Sequence, residues 1–177
     1  IPSLQSLDLS HNTLGSVGLA DIAPALYHNT SIKVLDISEN GLDRISCAIL
    51  LRGILCGNEN MTALALSRNE FWLRTIAVDC IADGLGSNTT LLKIDLSRCA
   101  LGDGGVSTLV QTLGSRNTTV QKVSLDSNVV TSTGVGVLLE TMEQSHHITD
   151  LDLSRNPIGN EGASLLAMAL TNTALPN

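Results

Sequence analysis

The chain has 177 residues, 43% of them hydrophobic and 2% aromatic, and its 17 acidic and 10 basic side chains give a formal charge of −7. That length supports one substantial core, built from Leu, Ile, Val and Ala because only Tyr27, Phe71 and Trp72 are aromatic. An acidic chain without a Lys/Arg cluster has the wrong sign for nucleic acid, and the apolar stretch at 48–55, broken by Arg52, falls short of the roughly 20 residues a membrane span needs.

The first element is the phrase LQSLDLSHNTL beginning at Leu4. Its template, L-x-x-L-x-L-x-x-N-x-L, returns at Ile32 (IKVLDISENGL), Met61 (MTALALSRNEF), Leu91 (LLKIDLSRCAL), Val120 (VQKVSLDSNVV) and Ile148 (ITDLDLSRNPI). The spacings are 28, 29, 30, 29 and 28 residues. Alternation with a period of two predicts a short strand in each phrase, with residues such as Leu7 and Leu9 inward and their neighbours outward. The strands are expected to stack into a parallel sheet.

The Asn closing each phrase (Asn12, Asn40, Asn69, Asn128, Asn156) falls where the chain turns inward. Its amide can bond otherwise unpaired backbone groups of adjacent turns, which predicts a ladder along the molecule. Cys99 takes this place in the fourth phrase, and a structural part is expected for it rather than a nucleophilic one. A glycine follows at Gly18, Gly105, Gly134 and Gly162, and then a helical pattern with apolar pairs at i, i+4. These pairs are Ile22 and Leu26, Leu109 and Leu113, Leu138 and Met142, and Leu166 and Leu170, one buried stripe per helix. The second and third units have Ser46 and Thr75 in place of the glycine, so altered loop geometry is expected there. Asn29, Asn58, Asn88, Asn117, Ser145 and Asn172 end the helical patterns and are predicted to be left-handed caps. The last residues begin a seventh unit at Leu175, and neither end carries a polar capping element, so the chain is expected to be a piece of a longer protein.

Six phrases on one template, with a period near 28 residues and a helical second half, resemble the leucine-rich repeat family and its ribonuclease-inhibitor-like class. The resemblance covers essentially the whole chain. It implies an α/β fold: a right-handed βα solenoid, a horseshoe arc with a parallel sheet on its concave face and helices on its convex face. Residues 1–177 then form a single domain of six repeats.

In this family the outward strand positions are the usual recognition surface. Here they form columns. The central one reads Asp8, Asp36, Ala65, Asp95, Ser124, Asp152, and the one before it reads Ser6, Val34, Ala63, Lys93, Lys122, Asp150. The column before the ladder position reads His11, Glu39, Arg68, Arg98, Ser127, Arg155. Asp is also ordinary for the family at such solvent-facing sites, whereas Arg68, Arg98 and Arg155 are less dictated by the template. A guanidinium row suits the carboxylates of a partner. Trp72, at the exit of the third strand, is either a binding hot spot or packing beneath an irregular loop.

No other chemistry competes. His11, His28, His146 and His147 stand in no nucleophile or zinc motif, and the glycines at 102–105 lack the Lys of a phosphate loop. Cys47, Cys56, Cys80 and Cys99 form no C-x-x-C pair, so no metal and no cofactor are expected. Their apolar surroundings favour a reducing, cytoplasmic location. The start Ile-Pro-Ser-Leu opens directly into a repeat without a leader, although a signal cleaved upstream would leave the same start. Sequons at Asn29, Asn88 and Asn117 are by-products of the repeat, with a fourth at Asn60. The expectation is a monomeric, non-enzymatic scaffold for a protein partner. The alternatives are a small-GTPase activator related to Ran GTPase-activating proteins, which share this repeat, or an architectural spacer.

Overall fold

The computed structural model describes residues 2–42, 45–69 and 75–172. Three-residue strands alternate with helices: β1 (Ser6–Asp8), α1 (Gly15–His28), β2 (Val34–Asp36), α2 (Ile45–Gly57), β3 (Ala63–Ala65) and α3 (Thr75–Ser87). They continue as β4 (Lys93–Asp95), α4 (Gly102–Ser115), β5 (Lys122–Ser124), α5 (Ser132–Gln144), β6 (Asp150–Asp152) and α6 (Gly159–Asn172). The strands form one parallel sheet in chain order, β1 to β6.

The register never slips. Leu7, Leu35, Leu64, Ile94, Val123 and Leu151 stand side by side as the middle residues of their strands. The inner four of them, and Ile37, Leu66, Leu96 and Leu125 two residues on, are buried. A one-residue slip would send this whole set to solvent, so burial enforces the pairing. Helices are about 10 Å wide and strands about 4.8 Å apart, so the helix layer needs the longer arc. The sheet therefore lines the concave face of a βα solenoid and the helices its convex face.

Glycine sets how closely each helix follows its strand. A Cβ at Gly18, Gly105 or Gly162 would stand 3.0, 3.1 or 3.0 Å from the Cβ of Leu14, Leu101 or Ile158, the last apolar residue of the preceding phrase. At Gly134 it would strike the Asp103 carboxylate. The apolar stripes appear as expected in α1, α4 and α5, where Leu26, Leu109, Leu113 and Leu138 are buried. In α6 they do not: Leu170 is 72% exposed, because α6 packs against α5 alone among the described residues.

Two asparagine ladders hold the turns together. At the strand exits, Asn40 accepts from Asn12 and Leu14 N–H through Oδ1, both at 3.1 Å, and donates through Nδ2 to Leu9 O at 2.8 Å. Asn69, Asn128 and Asn156 repeat the arrangement. Cys99 keeps the donor half, its Sγ–H directed at Leu66 O at 3.4 Å, and sets a weakly accepting sulfur toward the Asn69 N–H where the other repeats have an amide oxygen. Burial pushes its thiol up to about 12, so it stays protonated and structural.

The second ladder corrects the expectation of left-handed caps. Asn29 and Ser145 are extended, with φ of −72° and −116°, no positive φ occurs at Asn58, Asn88 or Asn117, and α6 runs through Asn172. Their amides instead tie one repeat to the next. Asn58 donates to Leu26 O and Asn29 O, Asn88 to Leu55 O, and Asn117 to Leu85 O and Asn88 O, at 2.7–3.0 Å. Each also accepts from the strand that follows, at Met61, Leu91 and Val120 N–H. The sequon amides of Asn88 and Asn117 are thus buried and bonded, with no room for a glycan in the folded chain. Left-handed backbone lies elsewhere, at the residue before the first ladder: His11, Glu39, Arg68, Arg98, Ser127 and Arg155, with φ of 50–59°.

Three expectations fall outside the described residues: the loop geometry at 43–44 and 70–74, the setting of Trp72, and a seventh repeat at Leu175.

Candidate protein-binding face

Strand register brings the expected columns together. Asp8, Asp36, Ala65, Asp95, Ser124 and Asp152 align along the sheet, as do Ser6, Val34, Ala63, Lys93, Lys122 and Asp150. The aspartates have a local task as well. Asp8, Asp36, Asp95 and Asp152 each accept, through Oδ1, the N–H two residues on (Ser10, Ser38, Ser97, Ser154) at 2.8–2.9 Å. This side-chain turn ends each strand. It leaves Oδ2 of Asp36 and Asp95 without a hydrogen-bond donor among the described residues. The Ser10 backbone N–H holds Asp8 below the usual carboxylate range, and the Ser154 hydroxyl and N–H do the same for Asp152.

The arginine column is less open than its spacing suggests. Arg68 Nη1 lies 2.8 Å from Glu39 Oε2, whose other oxygen is 3.3 Å from His11 Nδ1. Arg98 Nε and Arg155 Nη1 flank Asp126 Oδ2 at 3.8 and 3.3 Å. The row intended for a partner's carboxylates already faces carboxylates of its own chain. Asp126 was not among the expected site residues, and it is 92% buried if its 8% exposure is subtracted from 100%. A sequence signal exists for it: the fifth phrase reads S-L-D where the first, second, fourth and sixth read D-[LI]-S, which moves the carboxylate two places toward the arginines. The Arg68–Glu39 pair is exposed on both sides and contributes only about 0–1 kcal/mol, so a partner can exchange it, whereas the Asp126 carboxylate is buried and holds its two arginines more firmly.

The face has two unlike halves. Over β4–β6 polar groups satisfy one another: Ser97 Oγ bonds Asp95 and Ser124, Ser124 Oγ donates to Asp152, and Lys122 Nζ sits 3.1 Å from Asp150. Over β2–β3 the outward residues are Val34, Ala63 and Ala65. Each half holds a shallow depression, about 250 Å³ over β4–β6 with a mainly polar lining and about 230 Å³ over β2–β4, where Asp36, Asp95 and Lys93 line it beside these apolar residues. On the helix side Tyr27 and Ile49, 43% and 54% exposed, border an apolar groove between α1 and α2.

A Leucine Rich repeat family model matches residues 1–23, 28–43, 87–110 and 144–167. Ribonuclease inhibitor of Sus scrofa is 28% identical over 95% of this chain. So is NACHT, LRR and PYD domains-containing protein 3 of Rattus norvegicus, again over 95% of the chain. The chain belongs to the leucine-rich repeat family, in its ribonuclease-inhibitor-like class. These leucine-rich repeats span 43% of the inhibitor and 19% of the NACHT protein. Among solved structures, the leucine-rich repeat-containing protein LegL7 of Legionella pneumophila superimposes with a TM-score of 0.68 at 21% identity, covering 94% of this chain and 52% of that one. Leiomodin-1 actin-binding site 2 gives a TM-score of 0.57 at 21% identity, covering 68% of this chain and 69% of that one. At such identities the structures share the fold. Leucine-rich repeats are in general a protein-binding scaffold, and among the described residues no helix is long and apolar enough to cross a membrane.

Proposed function

We propose that this chain is one six-repeat domain forming the binding arc of a longer cytoplasmic protein. It holds a protein partner on its concave face by complementarity, with no catalysis of its own. The observation that carries this reading is the register: six strands align ionisable and polar side chains in columns on a face that no other described element covers. The contact side chains are Asp8, Asp36, Asp95 and Asp152 with Arg68, Arg98 and Arg155, and Trp72. Ribonuclease inhibitor, whose name records a protein target, is a relative that supports a binding role.

The test is capture from a native extract by the parent chain and by two variants. One changes the four aspartates to Asn, which keeps the turn acceptor and removes the charge; the other changes the three arginines to Gln. A partner held by the parent and lost from either variant supports the concave face. Equal recovery by all three moves binding to the helix side, and no partner at all leaves an architectural spacer.

A further inference from the structure

We infer that the depression over β2–β4 receives a single arginine side chain of the partner, a specificity that rests on the concave-face reading above. Ala65 interrupts the aspartate column, and the register sets Asp36 on one side of it and Asp95 on the other. Two strand spacings separate those carboxylates, about 9–10 Å. A guanidinium laid between them meets an oxygen on either side through charge-assisted bonds of about 2.8 Å. Both acceptors are held in place, because Oδ1 of each is fixed by the N–H of Ser38 or Ser97 at 2.9 Å while Oδ2 has no protein donor among the described residues.

The remainder of the depression suits the stem of that side chain. Val34 is 42% exposed and Ala63 stands beside it in register, an apolar floor for three methylenes. Lys93 is in the row of Ala63, at the opposite end from the carboxylates, and forms no ion pair among the described residues. Its charge opposes a cation at that end, and the two carboxylates outnumber it, so the head group is held at the Asp36 and Asp95 end. A planar fork serves two flanking carboxylates where an ammonium, a point charge, serves one, so the site prefers arginine to lysine. The chain's net charge of −7 adds a favourable field for a cationic partner.

The probe is the N-acetylated, C-amidated peptide Gly-Leu-Arg-Leu-Gly, titrated into isotope-labelled protein and followed by backbone amide shifts. Peptides with lysine or citrulline, the neutral isostere, in place of arginine are the comparison. Expected are saturable shifts confined to residues 34–36, 63–65 and 93–95, with affinity at least about tenfold lower for citrulline and lower for lysine. The double variant Asp36→Asn, Asp95→Asn should match the citrulline loss, and Ala65→Leu should abolish the shifts. Amide spectra of the variants that are unchanged elsewhere establish that they fold. Equal binding of arginine and citrulline peptides, shifts centred on Asp150 and Asp152, or no saturable shift would overturn the inference. A peptide result of that kind alongside successful partner capture would discard the arginine pocket and leave the concave-face reading intact. A positive peptide result without a captured partner would support the arginine site and, with it, the concave-face reading against the architectural spacer.

Discussion

The two asparagine ladders solve one problem at opposite edges of each repeat and differ in where they break. At the strand exits the break is Cys99, which keeps a donor to Leu66 O and replaces the amide oxygen by a weakly accepting sulfur. At the helix exits the break is Ser145, which loses both: its buried Oγ has no partner, and neither has His147 Nε2 two residues on. A thiol is a tolerable stand-in because it still occupies the core as a small hydrophobe. A serine is too short to reach the preceding helix, so carbonyls that Asn117 serves one repeat earlier have no counterpart donor here. The weaker joint of the array should therefore lie between α5 and β6.

That comparison is easiest to break through the core common to both ladders. Leu96 is 1% exposed, and its carbonyl accepts from Asn128 Nδ2. Leu96→Asp should cost more than about 4 kcal/mol by burying an unpaired charge, abolishing the cooperative melt by circular dichroism. Asp95→Ala, one residue away and outward, should shift stability by less than about 1 kcal/mol. A folded Leu96→Asp protein would mean the strand register is wrong.

Next in size are Asn128→Ala and Asn117→Ala, one from each ladder. Both residues are at most 1% exposed and each bonds backbone on two repeats, so each truncation should cost about 2–4 kcal/mol in urea melts. A marked inequality would show that the two ladders do not hold adjacent repeats together equally. Ser145→Asn should run the other way, adding about 1–2 kcal/mol by restoring the missing bonds. No gain would show that the joint before β6 is closed by something other than an amide.

The smallest effect concerns the strand-end turns. The carboxyls of Asp8 and Asp152 should titrate by NMR below the ordinary Asp value of about 3.9. A carboxylate depressed in the folded chain contributes stability that is present above the unfolded pKa and lost as pH falls through the folded one. Ser154→Ala should raise the Asp152 midpoint, since the Ser154 hydroxyl is the largest of its supports, ahead of the Ser154 N–H, the Ser124 hydroxyl and Arg155. An unchanged midpoint would assign the depression to the Ser154 N–H, the Ser124 hydroxyl and Arg155.

The strands, the core register and the first ladder were legible because they rest on a period and on side-chain type, both visible in the phrase L-x-x-L-x-L-x-x-N-x-L. The second ladder was misread although Asn29, Asn58, Asn88 and Asn117 recur as faithfully. Asparagine suits a left-handed cap and a buried bridge equally well, and only the position of the neighbouring repeat's carbonyls decides. The site shows the same divide. Its columns follow from alternation, but the pairing of Arg98 and Arg155 with Asp126 depends on left-handed backbone at φ of 56° and 55°, which nothing in an arginine announces. The arginine-sized gap at Ala65 was in view as a letter and became meaningful only with Asp36 and Asp95 set at its sides.

Alternation along each strand divides the chain into two scripts. Inward letters answer to the core and to the ladders, and a change there is felt by the repeats on both sides. Outward letters answer to a two-residue turn and, over β4–β6, to exposed or half-buried polar neighbours on the next strand, so the strands can be rewritten on that face while the arc keeps its shape. A gene encoding such an array can acquire a new partner by editing single codons at Asp36, Ala65 or Lys93, with folding left undisturbed.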